Sequence, residues 1–105
     1  MSKVPAEFRR LYGALLDKAL SLSPEVIVVN IPWLLWDERH AAKAVTYNQI
    51  IQEEAAARGI PVADAWQPLK ACGQPCFSSD NVHPNDQGHR LIAAAVSEVW
   101  RVNHP

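Results

Sequence analysis

The chain has 105 residues, 10 Lys and Arg against 11 Asp and Glu, and a formal net charge of −1. Hydrophobic residues make up 49% and charged residues 20%, which is globular composition and excludes disordered, collagen-like and low-complexity classes. The length suits one domain spanning residues 1–105, and the scattered basic residues, with Arg9-Arg10 the only adjacent pair, give no footprint for nucleic acid.

The first periodic segment starts near Pro5. Phe8, Leu11, Tyr12, Leu15, Leu16 and Ala19 recur at spacings of three and four, which predicts one apolar face of a helix. Pro5 suits its first turn, and Ser23-Pro24 ends it. Val26-Ile27-Val28-Val29-Asn30-Ile31 is short, β-branched and continuous, the pattern of a strand buried on both faces of a parallel sheet. Pro32 stops it. The apolar run from Val26 to Trp36 is interrupted by Asn30 and Pro32 and is too short to span a bilayer. Residues 33–40 read as a loop or helix lead-in. Ala44, Tyr47, Asn48, Ile51 and Ala55 mark a second helix, with Gly59 placed as its C-terminal cap. Ile60-Pro61-Val62-Ala63-Asp64 reads as a second short strand. Residues 65–79 are loop-rich with room for one helical turn. The last helix is predicted to begin at Asn85 or Asp86, both good N-cap types, with Gly88, Leu91, Ile92, Ala95, Val96 and Val99 as its apolar stripe.

Alternating helices and strands imply an α/β architecture with a parallel sheet. Only two strands are legible, so a strand edge is expected to be open. Cys72 and Cys76 share one Gly/Pro-rich loop; a local bridge and two free thiols are both compatible with the sequence. Met1-Ser2-Lys3 leads into a polar periodic segment with no apolar leader run.

The chemistry concentrates in Ser78-Ser79-Asp80-Asn81-Val82-His83-Pro84-Asn85-Asp86-Gln87-Gly88-His89. A carboxylate stands three residues before a histidine, in a loop leading into a helix. A buried Asp in that position can accept the Nδ1 proton of His, fix its tautomer and stabilise the imidazolium. Nε2 is then free to take a proton from a nucleophile. On residues 80–83 alone, a loop salt bridge or cap is the plainer reading of Asp80 and His83. Ser78 and Ser79 do not sit in a strand-to-helix elbow and are expected to cap or decorate the loop. Cys72, Cys76, His83 and His89 have a spacing too tight for a zinc finger, where about a dozen residues separate the ligand pairs; no metal site is expected. Asn48, on an apolar helical face, is expected to be a satisfied buried amide. Trp33 and Trp36 follow the carboxyl end of the first strand, where α/β sheets bind ligands. Trp33 is the candidate substrate-binding residue, against the plainer alternative of core packing. Trp66 and Trp100 read as packing residues, and His40 and His104 have no partners in sequence.

The stretch Asp80-x-x-His83-Pro84-Asn85-x-x-Gly88-His89-x-x-Ile92-Ala93 resembles the last block of the SGNH/GDSL hydrolase superfamily. Tyr47-Asn48, then Gly59-Ile60-Pro61-Val62-Ala63-Asp64, resembles that family's penultimate helix and last strand, and Pro24-Glu25-Val26-Ile27-Val28-Val29 resembles the strand before it. The resemblance implies the C-terminal part of a flavodoxin-like three-layer α/β/α sandwich with parallel strands. It further implies ester or acetyl-group hydrolysis by a Ser-His-Asp triad, with Asp80 orienting His83, a small-molecule or carbohydrate ester as substrate, and no cofactor.

The departures are specific. The family's Gly-Asp-Ser nucleophile motif and its Gly-x-Asn-Asp oxyanion motif do not occur in these residues. The expectation is therefore a partial domain. It would supply base and orienter, be inactive alone, and be completed by a missing N-terminal segment or by another chain. The alternative is a non-catalytic remnant that binds a partner protein through its open sheet edge.

Overall fold

The computed structural model describes residues 3–35 and 38–105. α1 (Lys3–Leu22) is followed by β1 (Val28–Val29), α2 (Glu38–Ala57), β2 (Val62–Ala63), α3 (Gln67–Cys72), a 3-10 turn (Gln74–Cys76) and α4 (Asp86–Asn103). The alternation predicted from the sequence is present. α2 starts within the segment expected to be its lead-in, and α3 with its 3-10 turn occupies the segment expected to be mostly loop. Trp36, the second of the two tryptophans after the first strand, lies outside the described residues.

The sheet has two parallel strands, with Val28 opposite Val62 and Val29 opposite Ala63. Both strands are shorter than the apolar runs that contain them. Pro61 and Pro32 flank the ladder and carry no N–H to extend it. Side chains take over at the carboxyl ends. Asn30 Nδ2 donates to Asp64 Oδ1 at 3.0 Å, and Asn30 Oδ1 accepts from the Ala65 N–H at 2.6 Å. Asp64 Oδ1 also accepts from the Trp66 N–H at 2.8 Å, turning the chain into α3. Asn48 fastens the exit of β1 to the middle of α2. Its Oδ1 accepts from the Ile31 N–H at 2.8 Å and its Nδ2 donates to Ile31 O at 3.0 Å, which is the satisfied amide expected. Gly59 takes φ +68 just past α2, a conformation that costs glycine nothing.

Two apolar clusters result. Leu16 of α1, Val28, Ile51 and Ala55 of α2, and Ile60 form the first, with Phe8 and Tyr12 packed against it. Leu69, Cys76 and Phe77 form the second, closed by Trp33, Leu91 and Ile92 among others. α1 and α2 are further tied by Arg9 to Glu53 and Glu54 at 2.6 and 2.8 Å, and by Arg58 to Asp17 and Glu54 at 2.7 and 3.0 Å. The Arg9–Glu53 pair is exposed and contributes little, whereas the Arg58–Glu54 pair is part-buried. Leu11 and Leu15, predicted on the buried face of the first helix, point outward instead, 54% and 59% exposed. They share a stripe with Val4 and Leu22, while Phe8, Tyr12 and Leu16 face inward. Trp100, expected to pack, is half-exposed and stacks on the His104 ring. His104, without a partner in the local sequence, meets Glu25, 79 residues away.

Candidate active site

Residues 77–84 form a short hairpin at the entrance to α4. Phe77 bridges Pro84 in antiparallel fashion. The Ser78 N–H donates to His83 O at 2.9 Å, and the Asn81 N–H donates to Ser78 O at 3.0 Å, closing the turn. Asn81 lies at φ +60, a left-handed position that asparagine tolerates better than most residues.

Asp80 organises this hairpin. Its Oδ1 accepts from the Val82 N–H at 2.9 Å and the His83 N–H at 3.0 Å, and lies 2.7 Å from the Ser78 hydroxyl. Its Oδ2 meets His83 Nδ1 at 2.6 Å. The His83 hydrogen bond, the two backbone N–H groups and the Ser78 hydroxyl hold the Asp80 carboxyl well below the usual carboxylate range. An ionised carboxylate only accepts, so Nδ1 carries the hydrogen. In the neutral ring Nε2 is therefore the bare nitrogen, able to take a proton.

The sequence placed this carboxylate and this imidazole together, and the structure does the same. It departs from the expected setting: the Asp80 and His83 side chains are 48% and 77% exposed, so the carboxylate is not buried behind the ring. The pair is worth little to stability in water; what it fixes is the tautomer and direction of the imidazole. Ser78 decorates the loop as expected, its hydroxyl lying 2.9 Å from His83 O as well as beside Asp80. His89 is exposed in the first turn of α4.

Cys72 and Cys76, which the sequence left open, are joined in a disulfide. Both sulfurs are thereby removed from the four-residue ligand set considered with His83 and His89. Trp33 is placed edge-on to Phe77, ring centroids 5.7 Å apart, and packs partly buried against the cluster beneath the hairpin. A cavity of about 330 Å³ lined by Asn30, Asn48, Asp64 and Trp66 opens beyond the ends of β1 and β2; Asp80 and His83 do not line it. Among the described residues no helix is long and apolar enough to cross a membrane.

One contributor escaped the sequence analysis beyond its capping role. Asn85 is the N-cap of α4, its Oδ1 accepting from the Gly88 N–H at 3.0 Å. Its Nδ2 also reaches back to Pro75 O at 2.8 Å and Phe77 O at 3.2 Å. The available signal was an asparagine, rather than an acceptor-only aspartate, directly after Pro84.

Comparison with known proteins bears on the fold and the family. The esterase domain of the ORF1 protein from the zebrafish ZfL2-1 retrotransposon is similar in structure, with TM-score 0.77 at 18% identity, over 93% of this chain and 60% of that one. LAE5, an α/β hydrolase enzyme from the metagenome of Lake Arreo, Spain, superposes with TM-score 0.74 at 20% identity, over 90% of this chain and 46% of that one. The chain thus spans about half to three-fifths of the length of these structures. No curated protein matches it. The family model of the GDSL-like lipase/acylhydrolases matches residues 1–91, from α1 through the Asp80–His83 hairpin and into α4, and the chain belongs to that family.

Proposed function

We propose that these residues are the C-terminal portion of a serine ester hydrolase, in which Asp80 orients His83 and His83 is the general base. In this reading the two strands belong to a larger three-layer α/β/α sandwich. The supporting observation is the 2.6 Å contact between His83 Nδ1 and Asp80 Oδ2, made in a hairpin fastened at both ends. Nε2 takes the proton of a serine hydroxyl as its oxygen attacks the ester carbonyl. The imidazolium, facing the Asp80 carboxylate, then gives that proton to the departing alcohol. A water loses its proton to Nε2 as it attacks the acyl-enzyme, and the proton returns to the serine when the acid leaves.

The nucleophile and the oxyanion donors of this scheme come from outside the 105 residues, which hold neither Gly-Asp-Ser nor Gly-x-Asn-Asp. Loss of one oxyanion donor alone typically costs on the order of a hundredfold or more in rate. The 105 residues alone are therefore expected to turn over esters negligibly and to resist labelling by a fluorophosphonate. The substrate is a small-molecule or carbohydrate ester, and Trp33, set beside the hairpin base, supplies an apolar wall for it. The scheme requires no cofactor.

The test joins the chain to a segment carrying both absent motifs. His83→Ala is expected to cut p-nitrophenyl acetate turnover by roughly 10³-fold or more, the loss typical of a triad base. Turnover within a few-fold of the unsubstituted protein, or fluorophosphonate labelling of Ser78 in the chain alone, would overturn the assignment. A second reading rests on β1, which has no strand on its outer side among the described residues and leaves Val29 exposed. An extended peptide of a partner protein could add there as a strand. That reading expects a stable monomer or a defined complex in solution, rather than self-association.

A further inference from the structure

Asp80 organises the hairpin from within, and Asn85 ties its base to the rest of the fold. Every polar atom of this side chain is used. Oδ1 accepts from the Gly88 N–H and thereby caps α4. The two hydrogens of Nδ2 go to Pro75 O at 2.8 Å and Phe77 O at 3.2 Å. The backbone repeats the same connection, because the Asn85 N–H donates to Cys76 O at 2.9 Å. Pro75 lies inside the ring closed by the Cys72–Cys76 disulfide. Phe77 is the first residue of the hairpin and bridges Pro84. One amide therefore binds three pieces together: the start of α4, the disulfide-closed turn, and the base of the hairpin two residues from His83.

A cap needs only the acceptor. Aspartate and serine cap helices as well as asparagine does, and neither can make the two donations. The donations point backward, away from α4, onto Pro75 O and Phe77 O. They tie Pro75 and Phe77 to the start of α4, and Phe77 bridges Pro84, the neighbour of His83.

We infer that Asn85 is a positioning residue for His83, acting through its two Nδ2 donations to Pro75 O and Phe77 O and separately from its capping of α4. The inference rests on the proposed role of His83 as base, but its test does not use ester hydrolysis. Asn85→Asp keeps the capping acceptor and replaces both donations by a second carboxylate oxygen facing two carbonyl oxygens. Asn85→Ser keeps a cap and simply removes them.

The readout is proton NMR of the Nδ1–H of His83, which a hydrogen bond to an ionised carboxylate shifts downfield and protects from exchange. In both variants the helical circular dichroism is expected to stay close to that of the unsubstituted chain. The Nδ1–H is expected to exchange at least about tenfold faster, or to broaden beyond detection. An unchanged Nδ1–H signal in either folded variant overturns the inference. So does a measurement on the unsubstituted chain that needs no variant: if the Asn85 side-chain amide protons exchange as fast as those of a free amide, the donations are not made. Loss of the His83 signal in the variants, together with full ester turnover of a His83→Ala protein completed by the absent motifs, would support the positioning and sink the hydrolase reading, so the two fail separately.

Discussion

At Asp80 four hydrogen bonds converge on one carboxylate: three on Oδ1 and the imidazole on Oδ2. This concentration explains the direction of its titration, because every partner favours the charged form. The sign follows. A carboxyl whose folded pKa is depressed contributes stability above its unfolded value of about 3.9, and that contribution is lost as pH falls toward the folded value. The downfield Nδ1–H of His83 should therefore persist as pH is lowered through 4, and weaken only well below it; a midpoint at an ordinary carboxylate pH would contradict the geometry. Asp80→Asn presents an amide where the ring needs an acceptor and permits the wrong tautomer. In a protein completed by the nucleophile motifs it should lower kcat by about 10³–10⁴-fold without a matching change in KM. Spacing alone did not identify this pair, since Asp and His three residues apart fit a loop ion pair or cap equally well; the longer stretch through Pro84, Asn85, Gly88 and His89 singled it out. The exposure of the pair was not legible, since it depends on what packs above the hairpin rather than on the hairpin's own residues.

α4 shows how an element is held by a contact no periodicity reveals. Gly88 fell on the predicted apolar stripe with Leu91, Ile92, Ala95, Val96 and Val99, and the helix starts at Asp86 as the cap chemistry required. Glycine is a poor helix former, and stripe membership gives it no reason to be there. The structure does. A Cβ on Gly88 would stand 2.5 Å from Cys76 O and 2.8 Å from Pro84 Cβ. The carbonyl is backbone, itself bonded to the Asn85 N–H, so it cannot swing aside. Gly88→Ala should gain helix propensity and still destabilise the chain, by about 1–3 kcal/mol, with a lowered midpoint in urea and an unchanged m-value. A neutral or stabilising result would mean that α4 does not ride on the disulfide-closed turn. Strand lengths were misjudged for a related reason. The apolar runs 26–31 and 60–64 were legible, but prolines 32 and 61 confine the ladder to two pairs, and Asn30 and Asp64 finish it with side chains.

Across the whole molecule, two segments 79 residues apart in the chain meet at Glu25 and His104. Glu25 stands in the segment between α1 and β1, and His104 directly follows α4. His104 Nε2 lies 3.0 Å from Glu25 Oε1, and its Nδ1 lies 3.0 Å from Trp100 O. A carboxylate and a carbonyl are both acceptors, so satisfying both nitrogens requires the doubly protonated ring. That cation sits at the C-terminal end of α4, where the helix dipole favours positive charge, and it stacks on the Trp100 indole with centroids 3.6 Å apart. These contacts raise the His104 pKa, the Glu25 hydrogen bond most of all and then the Trp100 carbonyl. Glu25, Arg58, Trp100 and His104 line one cavity of about 380 Å³; Arg58 is engaged there by Asp17 and Glu54, which leaves Glu25 as the counter-charge. A histidine whose folded pKa is raised contributes stability that is complete below its unfolded value of about 6.5, and that is lost as pH rises through the folded value. Thermal unfolding of the unsubstituted chain and of His104→Gln, followed from pH 6 to pH 9, should therefore converge. The native chain melts higher at pH 6, and the difference shrinks as the imidazolium loses its proton. Glu25→Gln should remove the same pH-dependent difference. Parallel melting curves at every pH would mean that the ring bridges the two segments without carrying a charge.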